Sequence, residues 1–174
     1  GGTASVCRVS YQTGTTPTFL TFGISISGAG STATGNIVTF NNTNANALDH
    51  NGIIGTVGCE IVGNRVSMAF NTTGTSSYAT GIYGGTDAII SDNSLKVINS
   101  NNSNVTYGIR VFTDRNKVSG NSIEMNNHAN DTGIYLGVGA DNNQVNDNIT
   151  YNVGTSVDDT AGGAGNTVVD NKDV

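Results

Sequence analysis

Three aspartates recur at even distance along the chain: Asp87, Asp114 and Asp141, each six to eight residues after the glycine of a Gly-Ile pair. Paired carboxylates are what glycoside hydrolysis requires. Stacked in steps of roughly 5 Å, an acidic column would suit retaining hydrolysis or calcium binding. The same aspartates stand in Thr-Asp, Thr-Asp-Arg-Asn and Ala-Asp-Asn-Asn contexts, where the side chain bonds local backbone in a turn. The turn reading takes precedence, so no catalytic residue is assigned and Asp87, Asp114 and Asp141 stand as the alternative set. A second set, Asp92, Asp147 and Asp170, takes the turn reading with more force. His50 and His128 read as exposed loop histidines. The basic residues form no catalytic motif, and no nucleophile elbow, P-loop or dinucleotide fingerprint is present. No metal site and no cofactor is expected.

The ligand-binding candidates are Tyr83, Arg110 and Tyr135. Each directly follows the isoleucine of a Gly-Ile pair, as do Ile54 and (in a weaker copy) Asp158. Where the isoleucine points inward, strand alternation points the next residue outward. The result is an aromatic–cation–aromatic strip across three successive units. Tyrosine faces stack on sugar rings and arginine donates to hydroxyls or carboxylates. A structural ladder, or packing on another subunit, uses the same residues.

Both candidate sets depend on a repeat. Gly-Ile recurs at Gly23, Gly52, Gly81, Gly108 and Gly133, with a sixth copy at Ser156-Val157. The intervals between copies are 29, 29, 27, 25 and 23 residues. An asparagine after Gly or Asp follows each pair: Asn36, Asn64, Asn93, Asn121, Asn148 and Asn171. Before most of these lies an apolar position (Ile61, Ile90, Val118, Val145, Val168), and after several an alternating apolar run. Period-two alternation in short segments indicates strands with one buried face. Such a unit cannot bury its apolar face alone, so units must stack. The expectation is strand, turn, strand, asparagine corner, strand, loop. The asparagines take left-handed backbone angles at the corner and bond to one another along the axis. The loop after the third strand (41–50, 71–80, 99–107, 126–132 and 152–155) is expected to absorb the shrinking period while the strands keep their length.

Composition agrees. Val and Ile far outnumber Leu, and β-branched side chains suit a pleated surface. The 24 glycines against one proline put the turns on positive backbone angles. The net charge of −6 and the lack of a basic run argue against nucleic acid and an anionic membrane surface. No apolar run approaches the roughly 20 residues of a membrane span. Cys7 and Cys59 show no metal-ligand spacing. Asn-x-Ser/Thr sequons fall at Asn41, Asn71, Asn101, Asn104, Asn130 and Asn148, mostly in the loop column.

The repeated Gly-Ile, Val-Ser-Gly-Asn-Ser-Ile at 118–123, Ile-Ser-Asp-Asn-Ser-Leu at 90–95 and Val-Asn-Asp-Asn-Ile at 145–149 resemble the right-handed parallel β-helix of the pectate-lyase-like superfamily. The resemblance implies an all-β solenoid of about six coils, three parallel sheets and a narrow apolar core. Residues 1–22 are expected as an irregular N-terminal coil or cap, and 23–174 as the β-helix repeats. That superfamily holds polysaccharide lyases, glycoside hydrolases, tailspikes and adhesins. No amphipathic cap helix follows the last corner, which is expected to leave a coil end for another subunit or a longer chain to cover. The functional expectation is a non-enzymatic structural or glycan-facing module of an extracellular or virion fibre. It self-associates as a trimer or end to end. The alternatives are a polysaccharide lyase or hydrolase and a carbohydrate-binding module.

Overall fold

The fold is seen in a computed structural model that describes residues 1–13, 21–45, 50–72, 78–100, 104–159 and 163–174. These residues form strands and turns with no helix. Chain order is β1 (Thr3–Ser5), β2 (Arg8–Thr13), β3 (Thr21–Ile26), β4 (Thr32–Thr34), β5 (Ile37–Ala45), β6 (His50–Gly55) and β7 (Glu60–Val62). It continues with β8 (Arg65–Thr72), β9 (Ala79–Gly84), β10 (Ile89–Ser91), β11 (Ser94–Asn99), β12 (Thr106–Val111), β13 (Lys117–Ser119) and β14 (Ser122–Glu124). The last strands are β15 (Asp131–Leu136), β16 (Gln144–Asn146), β17 (Ile149–Tyr151), β18 (Thr155–Asp158), β19 (Thr167–Val169) and β20 (Lys172–Asp173).

Every third strand falls in the same sheet. The first sheet runs β1-β4-β7-β10-β13-β16-β19, the second β2-β5-β8-β11-β14-β17-β20, and the third β3-β6-β9-β12-β15-β18. All pairings are parallel. This is a parallel β-helix, with a coil count slightly above the six expected, because two of its sheets hold seven strands. Six intervals of about 4.8 Å make a stack of roughly 29 Å. β1 and β2 pair in register with β4 and β5, so the N-terminal strands belong to the same two sheets.

Like residues stack on like. Ile24, Ile53, Ile82, Ile109, Ile134 and Val157 form one column. Ala33, Ile61, Ile90, Val118, Val145 and Val168 form the facing one on the first sheet. Val38, Val66, Leu95 and Ile123 supply the wall from the second sheet. The central isoleucines are completely buried, and each such side chain contributes about 1.5–3 kcal/mol relative to exposure. At the next position of that wall stands Thr150. It is buried, but its hydroxyl reaches Ser156 Oγ (2.9 Å) and Asp173 Oδ1 (3.2 Å).

The glycine of each Gly-Ile pair serves close approach, since none has a positive φ. A Cβ on Gly52 would lie 2.5 Å from Val66 Cγ1 and 2.6 Å from the Gly81 carbonyl oxygen. The second sheet's inward side chains therefore pack onto bare backbone.

The asparagine column is a continuous amide ladder. Asn36 Nδ2 donates to Asn64 Oδ1, and so on through Asn93, Asn121, Asn148 and Asn171, at 2.9–3.0 Å. Each Oδ1 also accepts the backbone N–H of the preceding asparagine, as Asn121 Oδ1 does from Asn93 N–H at 3.0 Å. The second amide hydrogen goes to a carbonyl of the coil before, as from Asn93 to Ile61 O at 2.9 Å. Two donors and two acceptor lone pairs are thus all used. The left-handed angles fall on the residue before each asparagine: Gly35, Gly63, Asp92, Gly120, Asp147 and Asp170, with φ of 54–67°. This corrects the expectation that asparagine itself turns the corner. In the first coil Val6 takes the left-handed angle, and Cys7 N–H donates to Asn36 Oδ1 at 2.9 Å.

A second, shorter ladder stands at the other end of the first sheet's strands. Asn116 Nδ2 donates to Asn143 Oδ1, and Asn143 Nδ2 to Asn166 Oδ1, at 3.0 and 3.1 Å. Ser31, Cys59 and Ala88 hold the equivalent place in earlier coils. Its sequence mark is Asn-x-Val-x-Gly/Asp-Asn at 116–121, 143–148 and 166–171.

The shrinking period is not confined to the loop. The second sheet's strands shorten as well, with nine residues in β5, eight in β8, six in β11 and three each in β14 and β17. Several residues assigned to the loop by sequence (His50, Thr80, Tyr107, Thr132, Thr155) are strand residues instead.

Replacing Asn93 with alanine strands an acceptor on Asn121, donors on Asn64 and the Ile61 carbonyl. Unsatisfied buried groups of this kind cost about 1–3 kcal/mol each. Asn93→Ala is expected to lose about 2–4 kcal/mol in urea unfolding, or roughly 5–15 °C in Tm. Asp92→Gly, which relieves a left-handed angle, is expected to be neutral or stabilising by under about 1 kcal/mol.

Candidate functional site

The strip expected on the third sheet is in register: Ile54, Tyr83, Arg110, Tyr135 and Asp158 pair in turn across β6, β9, β12, β15 and β18. All five are half-buried. Around them the structure gathers three more rings. Arg110 Cζ lies 4.2 Å from the Phe112 ring centroid, 4.9 Å from that of Tyr78 and 5.0 Å from that of Tyr107. Tyr107 meets Tyr135 at 4.9 Å between centroids, and Phe112 stacks on Tyr83 at 6.3 Å and 24°. Phe112 also meets Tyr135 edge-on at 5.7 Å. The ring of Phe112 lies over Gly137, where a Cβ would collide with it.

The guanidinium is thus walled by aromatic faces, an arrangement worth about 0.5–2 kcal/mol per good contact. Its Nε is buried without a hydrogen-bond partner among the described residues. Burial pushes the Tyr107 phenol up to about 12, against the lowering pull of Arg110. Chemically the patch offers ring faces, phenolic hydroxyls and guanidinium donors, the set that saccharide recognition uses.

Sequence reasoning missed Tyr107 because it placed this residue at the end of the variable loop, and strict alternation from Ile109 would put it on the inner side. The register passes from Tyr107↔Thr80 to Ile109↔Ile82 across Gly108, and Tyr107 comes out on the same face as Arg110. The Gly-Ile pair itself was the available signal.

The three aspartates do not form one column. Asp87, Arg115 and Asn142 are equivalent left-handed positions, with φ of 56–58°. Asp87 accepts from Arg115 Nε at 2.7 Å and Nη2 at 2.9 Å, and this pair holds its carboxyl below the ordinary range. Asp114 and Asp141 do stack on each other. Asp114 Oδ1 accepts the Asp141 backbone N–H at 3.0 Å. Asp92, Asp147 and Asp170 occupy left-handed positions before ladder asparagines. Among the described residues no group of His, Cys, Asp and Glu could hold a metal.

Cys7 and Cys59 are free thiols, the first exposed and the second buried. Of the sequons, Asn148 is a ladder residue and Asn104 is buried, whereas Asn41 and Asn130 are exposed. Asn71 lies in β8, and Asn101 lies outside the described residues. His128 is half-buried, and its backbone N–H donates to Asp131 Oδ2 at 3.0 Å. His50 is no exposed loop residue: it opens β6, is 1% exposed, and stacks on Phe70 at 4.8 Å.

These features define a parallel β-solenoid with an aromatic, arginine-centred patch on one sheet. The chain matches no family model, no curated protein and no solved structure.

Burial lowers the His50 pKa from 6.5 to about 4. Below pH 6.5 the unfolded chain binds the proton and the folded one does not, so stability is complete above that pH and falls down to about 4. The slope is up to about 1.4 kcal/mol per pH unit. Urea unfolding at pH 7 and pH 5 should show this loss, and His50→Gln should abolish most of the difference.

Proposed function

We propose that this chain is a structural, glycan-facing β-helix module of an extracellular or virion fibre. In build it is related to the pectate-lyase-like superfamily and nearest to its tailspike and adhesin members. The observation that supports this reading is the third-sheet patch. Tyr83, Arg110 and Tyr135 stand in register on three neighbouring strands, backed by Tyr107 and Phe112. A rigid sheet holding Tyr83 and Tyr135 two strand spacings apart, roughly 10 Å, with Arg110 between them, is a preorganised platform for a sugar chain. Polar, mostly uncharged outer positions fit a module that works among glycans. Self-association, as a trimer or end to end, is part of the proposal.

The rival reading as a polysaccharide lyase or hydrolase rests on Asp87, Asp114 and Asp141. Asp87 is neutralised by Arg115, and Asp114 is used by the backbone of the next coil. Both engagements favour the turn role.

On a glycan array, Tyr83→Ala with Tyr135→Ala is expected to weaken binding at least tenfold with Tm little changed. Undiminished binding would overturn the assignment of this patch. Asp114→Asn should leave binding intact, and cleavage of any polysaccharide by the parent chain but not by this variant would favour the enzyme reading. Light scattering after size exclusion should show an oligomer, and a stable monomer on dilution would refute the self-association.

A further inference from the structure

Charge is unevenly placed on this molecule. The chain carries 7 Lys+Arg against 13 Asp+Glu. On the outward face of the second sheet the balance reverses. Arg8, Arg65 and Lys172 belong to one outward column, with Ile37, Ser94, Ser122 and Ile149 between them. Lys96 belongs to the neighbouring one, with Ser67, Glu124 and Tyr151. Four of the chain's seven cations therefore share this face with a single acid, Glu124.

The face is also hollow. A groove of about 450 Å³ crosses β8, β11, β14 and β17, lined among others by Arg65, Ser94, Lys96, Ser122, Glu124 and Tyr151. Short serines make the floor, while the long side chains stand as walls. A second depression, lined by Arg8, Ser10 and Thr39, shares Arg65 and Ser67 with it and carries the hollow toward β2. Arg65 is exposed and has no ion-pair partner among the described residues. Lys96 meets Glu124 at 2.6 Å, but both side chains are about half exposed, at 54% and 43%. So exposed a pair is weak in water and yields readily to a ligand anion.

We propose that this groove binds a linear anionic polysaccharide, laid along the coil axis. Arg65 and Lys96 meet its carboxylate or sulfate groups, the Ser94 and Ser122 hydroxyls bond its hydroxyls, and Tyr151 stacks on a sugar ring. Arginine's planar fork suits a carboxylate or sulfate. Charge complementarity selects the ligand: the rest of the molecule repels anions, so only a chain that threads this stripe is attracted. A nucleic acid fits less well, because one ring and a hydroxyl floor offer little for base stacking. The site lies on a different sheet from Tyr83, Arg110 and Tyr135 and stands or falls independently of them.

Affinity electrophoresis of the intact chain tests it, with polygalacturonate, dextran sulfate, neutral dextran and oligothymidylate in the gel. Retardation by polygalacturonate or dextran sulfate but not by dextran is expected, and the stronger of the two names the anionic group. Arg65→Ser with Lys96→Ser should weaken it at least tenfold, and Lys96→Gln alone about threefold. Lys117→Ser, a cation on the first sheet, should leave it unchanged. Thermal melts confirm that the variants fold. No retardation by either polyanion, an equal response to dextran, an equal loss from Lys117→Ser, or tighter binding of oligothymidylate would each overturn the proposal.

Discussion

A primary amide sealed from water must find partners for two hydrogens and two lone pairs, or it costs about as much as the bonds it forgoes. The ladder from Asn36 to Asn171 meets this demand only if every coil repeats the same residue at the same height. That condition fixes the rise between coils at the strand spacing and pins the corner between the first and second sheets. The register of all three sheets follows from it. Once the corner is pinned, Ile53, Ile82, Ile109 and Ile134 have no choice but to stack.

Much of this was legible. The Gly-Ile pairs and the corner asparagines gave the strand order, because a stack needs its identical contacts spaced one coil apart in sequence. The second ladder was equally legible, through Asn116, Asn143 and Asn166 two residues before a valine, but its signal covers only three coils. What counting could not give was any position beyond a turn of variable length. Four residues, 85–88, join β9 to β10, but five, 112–116, join β12 to β13. Asp87 and Asp114 are equally far from their Gly-Ile pairs and yet sit one position out of line. The extra residue also adds Phe112 to the outer patch.

Backbone irregularity hid the other half of the site. Tyr107 lies on the outer face because alternation is broken at Gly108-Ile109: the bare backbone of Gly108 faces Ile123 and Ile109 is buried as well. His50 was hidden differently. Its neighbours in sequence read as loop, whereas its ring is buried against Phe70 of β8, two strands later in the chain. For His50 a long-range contact, invisible to local pattern, decides which way the side chain points. The Arg110 cluster shows the same logic at the surface. A guanidinium half-withdrawn from water is tolerated because Phe112, Tyr78 and Tyr107 present ring faces to it.

The contraction of the period has a consequence for how the chain avoids winding wrongly. A solenoid of identical repeats can thread itself one rung out of step, because each rung fits its neighbour's place. Here the intervals run 29, 29, 27, 25 and 23 residues, and the second-sheet strands narrow in parallel. A late rung slipped into an earlier slot would be too short to close the circuit. Misthreading is thereby barred through the later rungs, and the first two, equal in length, are the only place where such an error costs little.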